Sequence, residues 1–407
     1  MQSPPARSAL AFWIHAQFAL IGVTTVLLGP LLPTLAVQWG MHDLQMGYLL
    51  FAQYAGSVLG SLLSTRALPR WGFNRVCSAA MVILCSGLEI FMLASWQVGV
   101  AGIFLCGLGM ALAIAASNLV VAESNPGRAA SALSLLNFSW GIGAVAFPFL
   151  MSTALRNVPL SRLVPLLGVL PVFFSVRFAL FASSDRRSAD RRSANRRSAE
   201  SQAALVPLRQ DSAPTPWEWL PFQLIATLAF LYVGTETALG GWIASYAQDF
   251  SAVSMGSAAI APTVFWAALV AGRGLSPIVL RSHSERAIYC LGLLTALTGT
   301  LLVLTTHLVP FLLTGAAIAG FGLSAVFPIT VALLSRNLGE NSNRLGGFFF
   351  ATGNLGGAII PFMVGVVSSQ THSLRAGLAS TLVTMTLLLV MSLTFSQRLA
   401  FAARESQ

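Results

Sequence analysis

Long apolar stretches alternate with short polar connectors along almost the whole chain. A helix needs about 20 apolar residues to cross the hydrocarbon core of a bilayer, and each stretch is close to that length. Backbone groups find no other partners in lipid, so each stretch is expected to be helical. The predicted spans are 10–36, 44–66, 74–95, 98–122, 129–154, 161–182, 218–248, 255–280, 286–305, 308–335, 344–368 and 374–396. The pattern predicts an all-α membrane protein with twelve transmembrane helices.

Composition agrees with a chain that is surrounded by lipid. Hydrophobic residues make up 56% of the sequence and charged residues only 9%, whereas about 25% of the residues of a soluble domain are charged. The four cysteines all lie inside apolar stretches. We interpret them as small hydrophobic residues, and we predict neither a disulfide framework nor a metal site.

The basic residues are all arginines, and they are distributed unevenly between the two sides of the membrane. Of those in connectors, only Arg156, Arg162 and Arg375 are expected on the side opposite the N-terminus. Cytoplasmic connectors carry an excess of basic residues. We therefore expect both termini in the cytoplasm and the chain in a bacterial inner membrane. The net charge of +10 is explained in this way, and no nucleic-acid partner is expected.

One connector is much longer than the others and runs from Ser183 to Pro216. It contains the tandem units RRSAD, RRSAN and RRSAE, which have no apolar face. We expect a solvated basic tether, either with no specific partner or attracted to anionic lipid. The predicted domains are an N-terminal bundle at 1–182, the linker at 183–216 and a C-terminal bundle at 217–407.

The two halves of the chain repeat each other. GLGMALAIAAS, which begins at Gly107, corresponds to GFGLSAVFPIT, which begins at Gly320. GIGAVAFPF in the fifth span corresponds to NLGGAIIPF in the eleventh. Such repeats build transporters from two six-helix bundles related by an axis along the membrane normal. We expect glycines near a proline to allow these bundles to move, and they are Gly141, Gly143, Gly356 and Gly357.

The connector after the second span, GSLLSTRALPRWGFNR, resembles a degenerate form of the loop motif of the major facilitator superfamily. Arg66 and Arg70 lie in this connector, and Pro69 stands where that family usually has an aspartate, which argues against a charge-relay gate at this loop. Arg273, in the Gly-Arg-Gly sequence of the eighth span, lies at the matching loop of the second half. The resemblance implies a twelve-helix carrier that works by alternating access, with these arginines in gating or structural roles.

Further motifs resemble the fucose–proton symporters and related sugar carriers. They are SLLN followed by phenylalanine, which ends at Phe138, and YVGTE, which ends at Glu236. A third is the GLG sequence from Gly107, with Asn118 beyond it. The chain departs from the symporter pattern at Ile114, where those carriers have an acidic residue. The resemblance implies a sugar-carrying symporter and transfers no coupling role to position 114.

Glu236 is the strongest candidate for proton coupling because it lies in the middle of an apolar seventh span. A carboxylate removed from water gains affinity for a proton. Glu236 is therefore predicted to bind the coupling proton, a solute hydroxyl, or both. The alternative is a structural role in which it pairs with Arg273 or a backbone amide.

Neutral amides and aromatic rings complete the predicted binding chamber. The residues expected to contact solute together with Glu236 are Gln53, Asn137, Asn118, Asn354, Gln17, Thr24, Tyr232 and Trp242. Amides both donate and accept hydrogen bonds, as a polyhydroxylated ligand requires. The alternatives are hydrogen bonds between helices for the amides and anchoring at the membrane interface for Trp242 and for Tyr246.

These features predict a proton-driven transporter of a small polar solute, with a monosaccharide as the first choice. The first alternative is an efflux carrier for drugs or other organic solutes, and the second is a membrane sensor that does not transport. The chain has no phosphate-binding loop, no metal-ligand spacing and no cluster of reactive side chains. We therefore expect no enzyme activity and no cofactor, and we expect the protein to be a monomer.

Overall fold

The computed structural model describes residues 4–91, 93, 95–125, 129–154, 158–196, 216–251, 255–338 and 341–395. Every regular element in these ranges is an α-helix. The helices are α1 Pro4–Thr25, α2 Leu28–Trp39, α3 Asp43–Trp71, α4 Phe73–Phe91, α5 Trp96–Ser124, α6 Ala129–Ala154, α7 Leu160–Arg196, α8 Pro216–Ser251, α9 Met255–Ala258, α10 Ile260–Val279, α11 Glu285–Thr305, α12 Val309–Leu323, α13 Val326–Leu338, α14 Asn341–Thr371 and α15 Leu374–Thr394.

The predicted set of twelve spans is confirmed. Eleven segments are long and apolar enough to cross a membrane, and α1 with α2 forms a twelfth span that bends by 41°. The eighth span comprises α9 and α10, and the tenth comprises α12 and α13. The first predicted span, 10–36, is present but is broken after Thr25, which the apolar pattern did not indicate. Pro30 explains the bend, because its ring has no N–H to donate and would clash with the carbonyl of Val26 one turn earlier.

Equivalent spans pack in the same way in the two halves. In the first half the packed pairs are α1–α6, α3–α5, α4–α5 and α4–α7. In the second half they are α8–α14, α10–α12, α11–α12 and α11–α15, which join the corresponding spans. The halves meet through α3 and α14, through α6 and α10, and through α2 and α8. Two pseudo-symmetric six-helix bundles therefore form the fold.

The glycines of the internal repeat allow the helices to approach closely at equivalent places. A Cβ atom on Gly143 would overlap the carbonyl oxygen of Ala19, and one on Gly356 would overlap that of Phe230. Both glycines therefore pack the first and fifth spans of their own half. Small residues allow such close backbone contact in membranes. The two halves therefore repeat glycine at these positions because a larger side chain would not fit between the helices.

Replacing Gly356 with alanine is expected to destabilise the protein by about 1–3 kcal/mol, the usual range for overpacking a tight contact. The new methyl group would force α14 away from α8. The unfolding temperature of the purified protein in detergent measures the effect. Gly274 is the matched control, because it also lies inside a helix but has nothing within 4 Å of its Cβ position. Equal losses in Gly356→Ala and Gly274→Ala would contradict this account.

The helix that contains the sixth span continues beyond residue 182, where the N-terminal bundle was predicted to end. Helix α7 extends to Arg196 and includes the first two arginine-rich units. Alanine and arginine favour helices, and neither proline nor glycine interrupts the chain before Pro207. The rest of the predicted tether, 197–215, lies outside the described residues.

Candidate functional site

A buried ion pair forms the centre of the site. Glu236 of α8 has only 9% of its surface exposed, and its Oε1 atom accepts a hydrogen bond from Nη2 of Arg273 at 2.7 Å. The same Nη2 atom donates to the hydroxyl of Tyr232 at 3.2 Å. Tyr232 lies one turn before Glu236, so α8 presents both groups to one guanidinium of α10. A charge inside a membrane protein is expensive unless it is paired, and this arrangement pairs both charges.

The guanidinium also contacts the N-terminal half. Its central carbon lies 5.7 Å from the ring centroid of Trp140 on α6. The Trp140 indole donates a hydrogen bond to Thr25 at 3.2 Å, and its ring meets that of Trp266 edge-on at 5.7 Å. An indole face attracts a cation. The ion pair of the C-terminal half is thus connected to the first and fifth spans.

The bend in the first span supplies a second polar feature. Because α1 ends at Thr25, the last carbonyls of the helix need other donors. The Nε2 atom of Gln53 donates to the carbonyl oxygen of Thr24 at 2.9 Å and to that of Thr25 at 3.2 Å. Gln53 therefore stabilises the break by holding it against the second span.

A small cavity lies beside the break in the first span. It is lined from both halves, and its polar and aromatic lining residues are Thr25, Gln53, Tyr54, Thr237 and Trp266. The cavity has room for about one water molecule. A larger solute does not fit this cavity unless its lining residues move apart.

Three buried polar atoms around this centre have no hydrogen-bond partner among the described residues. They are Oε1 of Gln53, Nε1 of Trp266 and Nε of Arg273. Buried polar groups are nearly always paired, so each unpaired group needs an explanation. Together they offer one acceptor and two donors, which suits a ligand with several hydroxyl groups.

Comparison with known proteins identifies the family. A family model described as Major Facilitator Superfamily matches residues 15–361. The chain belongs to the major facilitator superfamily. The glucose/mannose transporter GlcP of Bacillus subtilis is 25% identical over 380 residues, which cover 90% of each chain. Members of the family transport solutes across membranes, so this chain is a transporter and not an enzyme.

Solved structures confirm the major facilitator fold. The D-xylose–proton symporter superposes with a TM-score of 0.72 at 13% identity and covers 98% of both chains. The fucose–proton symporter of Escherichia coli superposes with a TM-score of 0.62 at 17% identity, covering 94% of this chain and 98% of its own. Both structures therefore share the fold of this chain.

Several residues predicted to contact solute lie elsewhere in this major facilitator. Gln17 is fully buried with its side chain beside the thiol of Cys77, and Asn118 is half-buried on α5. Asn137 is exposed and donates to the carbonyl of Leu133 in its own helix. The hydroxyl of Thr24 also bonds within its own helix. The structure thus pairs none of these four side chains with the central ion pair.

Two other predicted residues form contacts between helices. The indole of Trp242 is fully buried and donates to the carbonyl of Pro361 at 2.9 Å, which binds α8 to α14. The Nδ2 atom of Asn354 donates to the hydroxyl of Ser61 at 3.2 Å. Tyr246, for which anchoring at the interface was the alternative, is buried and donates to the carbonyl of Leu304 at 3.3 Å.

The predicted gating positions fall into distinct environments. Arg66 and Arg70 are exposed near the end of α3. A Cβ atom on Gly141 would meet the side chain of Val270, and one on Gly357 would meet the ring of Tyr54. These two glycines therefore lie between the bundles.

Sequence reasoning missed Trp140, Trp266, Thr25 and Tyr54. One signal was available for Trp140, since it follows Asn137 by about one helical turn and so shares its face. No comparable signal marked Trp266. Its ring packs where Gly240 lacks a side chain, and only the tertiary structure reveals that contact.

Proposed function

We propose that this major facilitator carries a monosaccharide by proton-coupled alternating access, with Glu236 as the proton-binding group. The observation that carries the proposal is the buried pair of Glu236 and Arg273, 2.7 Å apart, at the junction of the two halves. A carboxylate in that position can bind and release one proton. Whether it does so decides how strongly it holds Arg273.

The chemistry of the centre supports a sugar as the solute. A sugar hydroxyl both donates and accepts, and the unpaired atoms of Gln53, Trp266 and Arg273 offer both functions. The indole faces of Trp140 and Trp266 suit the apolar face of a pyranose ring. The Bacillus relative is a glucose/mannose transporter, which makes hexoses the first solutes to test.

Coupling follows from the state of the ion pair. When Glu236 takes up a proton, its charge is neutralised and its attraction for Arg273 falls. The guanidinium then becomes free to turn from Glu236 towards a solute oxygen. Because Trp140 belongs to the other half, a guanidinium that turns from Glu236 to a solute alters a contact between the two halves.

We further propose that the protein works as a monomer in a bacterial inner membrane, with both termini and the linker in the cytoplasm. The bundles are taken as 1–182 and 217–407. The one-sided distribution of the connector arginines supports this orientation. Cysteines introduced into the linker and labelled from either side of the membrane would test it.

A screen of solutes tests the substrate class. The purified protein is heated with a panel of hexoses, pentoses and lipophilic organic cations. A ligand at 100 times its dissociation constant adds about 2.7 kcal/mol to the free energy of unfolding, so binding should raise the unfolding temperature clearly. We expect stabilisation by glucose or mannose. Stabilisation by the organic cations alone would favour an efflux carrier and contradict the proposal.

A further inference from the structure

Arg177 is a cation in the sixth span and is not part of the transport site described above. It lies within the membrane-spanning segment Leu160–Ser183. Across the ranges that the structure describes, ion pairs join Arg273 to Glu236 and Arg336 to Glu285, and none involves Arg177. Its Nε atom is buried without a hydrogen-bond partner among the residues that the structure describes. A cation at this depth needs an anion or a path to the headgroups.

Aromatic rings hold the guanidinium in place. Its central carbon lies 4.8 Å from the ring centroid of Trp13 and 5.4 Å from that of Phe181. The Trp13 ring is itself fixed by Phe173 at 5.3 Å and Phe174 at 5.9 Å. We call these four rings the aromatic cradle. Since rings bind a guanidinium through its faces, the N–H groups on its edge stay available to an acceptor.

The surroundings of the cradle face the membrane. Large apolar side chains on the same stretch of α7 are strongly exposed, with values of 51% for Phe173, 53% for Val176 and 54% for Leu180. Trp13 lies near the start of the first span, and Arg177 lies near the end of the sixth. Both are therefore close to the membrane surface that carries the chain termini, at the depth where tryptophan anchors helices to headgroups.

We propose that Arg177 and the aromatic cradle bind the phosphate of an anionic phospholipid. Arginine presents a fork of N–H donors that matches two phosphate oxygens. Arg177 has no acidic partner among the described residues, so its charge is complementary to an anionic phosphate. The exposed apolar surface beside it accommodates the acyl chains. Basic positions between transmembrane helices bind lipid headgroups in this manner.

A titration of lipid into detergent-solubilised protein tests the site. The full chain, Arg177→Gln and Arg162→Gln are titrated with phosphatidylglycerol, phosphatidylethanolamine or inorganic phosphate, and the unfolding temperature is followed. Arg162 is the matched control, because it is an exposed arginine at the other end of the same helix. We expect phosphatidylglycerol to stabilise the wild type. Arg177→Gln should raise its half-maximal concentration about fivefold, the factor for one arginine–headgroup contact, and Arg162→Gln should leave it unchanged.

Several results would overturn the proposal. One is an equal response of wild type and Arg177→Gln to phosphatidylglycerol. A second is stabilisation of the wild type by phosphatidylethanolamine as strong as that by phosphatidylglycerol. A third is stabilisation by inorganic phosphate without any by phosphatidylglycerol. A dimer that forms when lipid is removed would assign this face to a second copy of the chain. If Arg177→Gln does not fold, Trp13→Leu takes its place with the same expectation, because it keeps the charge and removes the ring that orients it.

Discussion

Replacing Glu236 with glutamine should abolish the accumulation of sugar against its gradient while leaving exchange of sugar intact. Glutamine keeps the shape of glutamate and can still accept a hydrogen bond from Arg273, but it cannot gain or lose a proton. The solute site therefore remains, and the link to the proton gradient is lost. For one proton per solute, each pH unit across the membrane drives about tenfold accumulation, or about 1.4 kcal/mol, and this is the expected loss.

The measurement uses purified protein in liposomes with a labelled sugar chosen by the thermal screen. Uptake driven by an imposed proton gradient is compared with counterflow, which needs no gradient. Glu89→Gln is the control, since Glu89 is also an acid in a membrane-spanning helix but is exposed on α4, and it should accumulate sugar normally. Full accumulation by Glu236→Gln would remove Glu236 from the coupling role.

The spans were predictable because lipid restricts what the chain can do. Bilayer thickness sets the length of each apolar stretch, and unpaired backbone groups exclude other elements. The break after Thr25 was not predicted, and neither was the contact with Gln53 that stabilises it. The helical continuation to Arg196 was missed because a basic sequence without an apolar face gives no packing signal.

The candidate site was predictable only in part. Glu236 stands out because an acid is rare in so apolar a helix, and its pairing with Arg273 was one of the alternatives. The faces of the amide-bearing helices were harder to assign. In a helix buried on all sides, the apolar pattern does not mark the face that meets the other bundle. This explains why Asn118 and Trp242 were placed in the chamber and Trp266 was overlooked.

Removing the cation of the ion pair should lower the stability of the protein strongly. This effect is measured on the folded protein and does not depend on transport. Arg273→Gln leaves Glu236 buried without its counter-ion, and breaking a buried pair in this way typically costs about 3–5 kcal/mol. Arg273 is 22% exposed at its side chain, so the lower end of that range is expected. The unfolding temperature in detergent should fall accordingly.

The double variant Arg273→Gln with Glu236→Gln should recover most of the lost stability, because it leaves two neutral amides that can bond to each other. Such a recovery is the signature of residues that interact directly. Arg336→Gln provides the comparison, since Arg336 pairs with Glu285 at a more exposed position and should lose no more than about 1 kcal/mol. If the double variant were as unstable as Arg273→Gln alone, the two charges would not depend on each other. A proton on Glu236 could then not release Arg273 for the solute.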